Sequence, residues 1–218
     1  MLSRKTLVAP SILASDFGLL GVEVERMTSA GADWIHCDVM DGHFVDNISF
    51  GPAIVEAVSR YTALPLDVHL MIDHPDRYLE RFMPFAASIS VHLEAAHDVS
   101  KTLATVREEG LLSGLAISPQ TPIEKIKPFL GAFDILVIMT VNPGRGGQAF
   151  LPDMLPKMAQ AAIWRSQGGY DFHIEVDGGI NALTAHDSVE AGANILVAGT
   201  SVFRAPDAAI AIKQLREV

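Results

Sequence analysis

The segment His36-Cys37-Asp38-Val39-Met40-Asp41-Gly42-His43 follows Gly31-Ala32-Asp33-Trp34-Ile35, which reads as a helix end running into a strand start. Strand side chains alternate between two faces, so His36, Asp38 and Met40 point the same way. That face carries an imidazole, a carboxylate and a thioether. Leu66-Asp67-Val68-His69-Leu70-Met71 has the same texture and places His69 and Met71 together on a second strand. A third apolar run, Ile174-Glu175-Val176, delivers Asp177 just ahead of Gly178-Gly179. Two imidazoles and two carboxylates at strand ends suit a divalent cation without any cysteine. Each histidine taken singly reads as a hydrogen-bonded, half-buried side chain. Together the four are harder to explain that way, because leaving charged groups unpaired at the ends of apolar strands is costly.

Around this nucleus, short β-branched runs alternate with longer amphipathic stretches. The strand candidates are Leu7 to Ile12, Trp34 to Val39, Leu66 to Met71, Ser88 to His92, Gly114 to Ser118, Ile135 to Thr140, Phe172 to Val176 and Asn194 to Ala198. Between them lie helix candidates with start signals: Asp16 before Phe17 to Ala30, Pro52 before Ala53 to Arg60, Pro75 before Asp76 to Met83, and Asp98 before Val99 to Gly110. Thr121-Pro122 then precedes Ile123 to Leu130, Pro152 opens a stretch to Gln167, Asn181 opens one to Ala191, and Pro206-Asp207 leads to the C-terminus. Eight strand-then-helix units without a Pro/Ser-rich linker predict one closed parallel α/β barrel, a TIM (β/α)8 domain over residues 1–218. A doubly wound open sheet is the competing architecture. The count of eight and the lack of a Gly-x-Gly-x-x-Gly after the first strand favour the barrel.

Bulk properties agree. A chain of 218 residues with 49% hydrophobic and 19% charged content has the make-up of a single globular enzyme. A formal charge of −10 without a Lys/Arg cluster argues against nucleic acid as a partner. The single cysteine, Cys37, excludes an intramolecular disulfide and a cysteine zinc cluster. It sits between His36 and Asp38, so it should face the helices as a small buried hydrophobe. Met1-Leu2-Ser3-Arg4-Lys5 lacks the apolar core of a signal peptide, and no uncharged stretch is long enough to span a bilayer. The expectation is a soluble, cytoplasmic protein without a membrane partner.

Active sites of such barrels lie at the C-terminal strand ends. Ser11, His36, Asp38, His69, Met139 and Asp177 all fall there, although Ser11 taken alone reads first as a turn or capping hydroxyl. Gly-rich loops share that rim: Gly144-Arg145-Gly146-Gly147 after strand six, Gly178-Gly179 after strand seven and Gly199-Thr200-Ser201 after strand eight. Bare backbone amides near helix starts form an anion cradle, so an acidic protein can still hold a phosphate.

These motifs together resemble the ribulose-phosphate 3-epimerase family. The resemblance runs from Ala9-Pro10-Ser11-Ile12-Leu13 through Val39-Met40-Asp41-Gly42-His43-Phe44-Val45, Asp67-Val68-His69-Leu70-Met71 and Met139-Thr140-Val141-Asn142-Pro143-Gly144. It continues through Glu175-Val176-Asp177-Gly178-Gly179-Ile180 to Val197-Ala198-Gly199-Thr200. It implies interconversion of D-ribulose 5-phosphate and D-xylulose 5-phosphate through a metal-stabilised enediolate. It further implies one divalent cation (Zn, Fe, Co or Mn) on His36, Asp38, His69 and Asp177, with Asp38 and Asp177 as the acid/base pair. Ser11 and His69 would contact substrate, Met40, Met71 and Met139 would cap the reacting carbons, and the chain would form a homo-oligomer. A ketohexose-phosphate (allulose 6-phosphate) 3-epimerase is the near alternative, and a non-catalytic sugar-phosphate-binding barrel the distant one. The latter would be expected to have lost a carboxylate, and both are present. The chain departs from the family pattern at Arg145, where Phe is common, at Asp46, where Pro is usual, at Ser118 for Asn and at Leu93 for Ala.

Overall fold

Residues Ile35–Met40 are all buried, but toward two different environments. Ile35, Cys37 and Val39 face outward into a large apolar layer shared with helix residues such as Val24, Met27 and Leu103. His36, Asp38 and Met40 face the axis of a barrel. The same alternation runs through every strand, because a strand covered by helices on one face and by other strands' side chains on the other has no solvent face. In the computed structural model, which describes residues 4–218, the strands are β1 (Leu7–Pro10), β2 (Ile35–Met40), β3 (Leu66–Met71), β4 (Ser88–His92), β5 (Leu112–Ile117), β6 (Ile135–Met139), β7 (His173–Asp177) and β8 (Ile195–Ala198). They form one eight-stranded sheet in the order β1-β8-β7-β6-β5-β4-β3-β2, with parallel pairing throughout. A parallel bridge from Ser11 to His36 joins the two ends. The architecture is a single-domain TIM barrel, and the open doubly wound sheet is ruled out.

The helices are α1 (Leu20–Ser29), α2 (Pro52–Ser59), α3 (Leu79–Phe82), α4 (Val99–Glu108), α5 (Leu155–Gly168), α6 (Ala182–Glu190), α7 (Thr200–Phe203) and α8 (Ala208–Arg216). The start signals act as capping chemistry requires. Asp98 accepts from Lys101 N, Asp207 accepts from Ala209 N and Ile210 N, and Asn181 forms a capping box with Thr184. Several boundaries differ from expectation, three of them for a plain local reason. The first strand stops at Pro10, because the Ser11 side chain caps a 3-10 turn at Ile12–Ala14. The stretch expected as a helix over Ile123 to Leu130 is a 3-10 segment, Ile123–Phe129, with Pro128 inside it; proline lacks the N–H and collides with the carbonyl an α-helix would place there. The expected helix from Asp76 splits into a 3-10 turn at Pro75–Arg77 and the single turn of α3.

The barrel interior is divided. Part of it is apolar: Ala116, Ile135, Val137 and Met139 in one cluster and Ala9, Ile195 and Val197 in another, on either side of β7, with Trp34 packed against both. The rest is polar: His36, Asp38, Asp67, His69, Ser88, Ser90, His92, Glu175 and Asp177, all buried. Cys37 is fully buried on the outer face, and burial drives its thiol pKa far up, so it stays a neutral packing group. Among the described residues no helix is long and apolar enough to cross a membrane. The expectation about a leader at Met1, Leu2 and Ser3 falls outside the described residues.

Gly114 on β5 lies beside Ser90 on β4 in the register. A Cβ there would stand 1.8 Å from Ser90 Oγ and 2.9 Å from its Cα. The neighbouring backbone, not only a side chain, would have to move. Gly114→Ala is therefore expected to lower folding stability by about 1–3 kcal/mol, the usual scale for overpacking. The check is a denaturant midpoint at unchanged slope; an unaltered midpoint would show that β4 and β5 separate freely.

Candidate active site and metal centre

Strands β2, β3 and β7 bring His36, Asp38, His69 and Asp177 to one point, although His36 is the second residue of β2 and Asp38 lies in its middle rather than at the C-terminal end expected for them. One ligand atom from each lies within 4.8 Å of the others, and all four residues are buried. His36 Nε2 is 3.2 Å from Asp38 Oδ1 and 4.0 Å from Asp177 Oδ2. His69 Nδ1 is 3.6 Å from Asp38 Oδ1 and 3.5 Å from Asp177 Oδ2, and makes no hydrogen bond. A fully buried ring nitrogen without a partner, aimed between two carboxylates, is what an imidazole–carboxylate cation site requires. These four residues fit a divalent cation and can hold one.

The electrostatics follow from crowding these groups away from water. Burial alone would depress His36, but the Asp38 and Asp67 carboxylates hold it well above the usual histidine range. Burial likewise opposes charge on His69, yet Asp177 and Asp38 raise it. For Asp38, burial pushes upward and the two imidazoles overcome it, leaving the carboxyl far below the ordinary range.

Outer groups fix these donors, a role that matters for affinity and geometry at metal sites. His36 Nδ1 lies 2.7 Å from Asp67 Oδ2, and Ser88 Oγ–H donates to the other oxygen of Asp67 at 2.5 Å. Glu175 sits behind them with neither carboxyl oxygen hydrogen-bonded. Burial first, then the nearby Asp67 charge, raises its pKa well above the usual carboxyl range. His69 Nε2 lies 2.9 Å from His92 Nε2, and His92 Nδ1 lies 3.0 Å from Glu94 Oε2. Burial, reinforced by His69, lowers His92 to about 4. None of Asp67, Glu175, His92 or Glu94 was among the residues singled out in the sequence. A signal existed for three of them: Asp67 is two residues before His69, Glu175 two before Asp177, and His92 ends the Ser88-Ser90-His92 face of β4.

Above this floor opens a cavity. Asp38, Asp177, Ser11, Met40, Met71 and Met139 line it with Gly144, Arg145, Gly146, Gly147, Gly178, Gly179, Gly199 and Thr200. Ser201, Gln148 and Asn181 complete that wall. His36 and His69 are fully buried and belong to the floor rather than the lining. Ser11 serves two purposes: its Oγ accepts from Leu13 N at 3.2 Å and donates to Asp38 Oδ2 at 2.5 Å. Gly178 and Gly179 take φ of +121° and +66°. A Cβ on Gly179 would lie 2.5 Å from Phe150 N, so both backbone conformation and space demand glycine.

The loop after β6 is pinned rather than loose. Asn47 Nδ2 donates to the Gly144 carbonyl at 2.7 Å, and Gln148 Nε2 donates to the carbonyls of Asn142 and Arg145, each at 2.7 Å. The Arg145 side chain itself is exposed. Asp46 and Arg145 together line a smaller recess at the rim. After β2, Asp41 accepts from the backbone of His43, Phe44 and Asp73, which ties that loop to the end of β3.

Fold and site together define a TIM-barrel enzyme with an acidic, imidazole-lined floor under a glycine-walled mouth. Residues 7–203 match the model of the ribulose-phosphate 3 epimerase family. The ribulose-phosphate 3-epimerase of Bacillus subtilis is 48% identical over 211 residues, covering 96% of this chain and 97% of that protein. Its namesake in Synechocystis is 46% identical, covering 99% and 95%, and that of Escherichia coli is 38% identical, covering 98% and 96%. Among solved structures, 3-hexulose-6-phosphate synthase from Salmonella typhimurium superposes with a TM-score of 0.71 at 16% identity, covering 98% of this chain and 97% of that one, a likeness of fold alone. The chain belongs to the ribulose-phosphate 3-epimerase family and is an epimerase, an enzyme of the isomerase class.

A cation entering the floor must displace protons from imidazoles whose pKa values are raised. Sign follows directly: as pH falls, protons compete better and affinity for a divalent cation drops. Titration calorimetry of the apoprotein in two buffers of different ionisation enthalpy should give different heats, reporting proton release. Equal heats would mean that no imidazole proton leaves.

Proposed function

We propose that the enzyme inverts C3 of D-ribulose 5-phosphate to give D-xylulose 5-phosphate, with Asp38 and Asp177 as a two-carboxylate acid/base pair. The observation that carries this reading is that both carboxylates line one cavity while their inner oxygens share the His36/His69 floor. Inverting a carbon next to a ketone requires a proton to leave one face and another to arrive on the opposite face, so two groups must flank a planar enediolate. Asp38 and Asp177 come from different strands, β2 and β7, and are placed to do this. His36, Asp38, His69 and Asp177 would hold one divalent cation, for which Zn, Fe, Co and Mn are all chemically suitable donors' partners. Bound there, it supplies Lewis-acid stabilisation of negative charge developing on oxygen.

The chain's own groups account for the remaining requirements. Ser11 holds one oxygen of Asp38 through its short hydrogen bond, which fixes the direction in which the carboxylate faces the cavity. Met40, Met71 and Met139 are almost fully buried at the lining. Their thioethers exclude water without offering a competing acid or base. Gly146, Gly147, Gly178, Gly179, Gly199 and Thr200 form a wall on which a phosphate can lie against backbone amides.

Incubation with D-ribulose 5-phosphate in deuterated water should give xylulose 5-phosphate labelled at C3. Asp38→Asn and Asp177→Asn should each lower turnover by about 10² or more, the scale of a general acid or base. Metal content, measured on the same samples, separates lost acid/base chemistry from lost cation. Normal turnover in either variant would remove that carboxylate from the reaction, and labelling only with a hexulose phosphate would move the substrate to the longer sugar.

Arg145 offers a separate test of the mouth. Its backbone is pinned by Gln148 and the Asn47 bond at Gly144, while its exposed guanidinium borders the cavity. From there it can fold over the phosphate as a fork of donors. Arg145→Ala should then raise KM by roughly tenfold or more, as expected for a lost hydrogen bond to a charged group, and weaken inhibition by inorganic phosphate. A fall in kcat at unchanged KM would assign the residue to transition-state binding instead. No change in either constant would leave it a solvated charge.

A further inference from the structure

We propose that Glu94 and His92 are positioning residues that set the tautomer of His69, so that its Nδ1 presents a lone pair to the cation. The inference rests on the metal-site reading above and extends it to two residues at the end of β4. The hydrogen-bond chain can be read in one direction only. Glu94 Oε1 is already occupied as an acceptor, by Ser118 N–H at 2.8 Å and by the Thr121 hydroxyl. Its Oε2 faces His92 Nδ1 at 3.0 Å. An ionised carboxylate has no proton to donate, so His92 must carry its proton on Nδ1.

A neutral ring protonated on Nδ1 leaves a lone pair on Nε2. That atom faces His69 Nε2 at 2.9 Å, and one of two facing nitrogens must donate. His69 therefore donates from Nε2, and any proton that a cation displaces from this ring is the one on Nδ1. The remaining nitrogen, Nδ1, is the one without a hydrogen-bond partner, 3.6 Å from Asp38 Oδ1 and 3.5 Å from Asp177 Oδ2. The direction of a proton chain that begins at a half-buried carboxylate near the rim thus decides which nitrogen of a fully buried histidine is free. Both the His92 ring and the His69 ring are sealed from water, so solvent cannot repair a reversed chain.

Long-range 15N–1H correlation of the histidine rings, in the zinc-loaded protein and after chelation, tests this without any variant. His92 should be protonated on Nδ1 in both states, and His69 on Nε2 with zinc at Nδ1. Glu94→Gln gives a sharper test. The fixed Ser118 N–H keeps the amide oxygen on its side and turns the NH2 toward His92 Nδ1, which reverses the chain. Its His92 proton should move to Nε2, and its affinity for zinc should fall 10–100-fold, the range seen when outer partners of metal ligands are altered. Glu94→Ala imposes no direction and should lose less, although it removes more atoms. A wild-type His92 protonated on Nε2, or a folded Glu94→Gln protein with unchanged tautomer and zinc affinity, would overturn the assignment. A wild-type protein that binds no zinc yet carries the Nδ1 proton on His92 would sink the metal reading and support the tautomer.

Discussion

The structure depends on a charge balance that has to be struck out of contact with water. His36 and His69 are fully buried and Asp38 and Asp177 nearly so. In such a place a lone carboxylate or imidazolium would change its protonation rather than remain charged. The raised histidines and the depressed Asp38 are two views of the same compensation. A divalent cation would take over the role of those protons with higher charge and fixed geometry. A buried donor set of this kind is a poor source of stability, since desolvation offsets much of the attraction. The surrounding barrel must supply the stability that holds it.

The division of the interior answers that need. Ile135, Val137 and Met139 on β6 and Ile195 and Val197 on β8 form two apolar clusters inside the barrel, on either side of β7, each packed against Trp34. The polar residues are carried on β2, β3, β4 and β7, whose outward faces remain fully apolar and join the helices. Polar strands are thus anchored by their backs. Close packing at Gly114 and Ser90 draws β4 and β5 together.

Much of this was legible because strands repeat every second residue. His36 and Asp38, His69 with Met71, and Asp177 before its glycines could be placed on one rim from spacing, and the barrel followed from eight such units. The residues that were not legible share a physical trait: their partners are set by register, not by sequence distance. His36 meets Asp67 because β2 and β3 align those positions, and nothing within either strand states the alignment. Glu94 lies beyond the end of β4 and acts through Ser118 and Thr121 on the next loop. The loop after β6 looked flexible from its glycines, whereas Asn47, from the loop after β2, holds its Gly144 carbonyl and the loop's own Gln148 holds those of Asn142 and Arg145. Ser11 carried two readings, turn cap and substrate contact; its hydroxyl caps the turn and also donates to Asp38 at the cavity.

This separation bears on Arg145 and Asp46, two of the positions read from the sequence as departures. The floor is made by strand residues whose neighbours are fixed on both faces, so a change there disturbs a proton balance and the packing behind it at once. Arg145 and Asp46 lie on exposed loop positions bordering the mouth, and the Arg145 carbonyl is held by Gln148 Nε2 rather than by its own side chain. Such positions can exchange an aromatic ring for a guanidinium, or a proline for a carboxylate, without altering the geometry of the donors below. The loop after β6 is held by the side-chain amides of Asn47 and Gln148 on its carbonyls, so its backbone geometry does not depend on the Arg145 side chain.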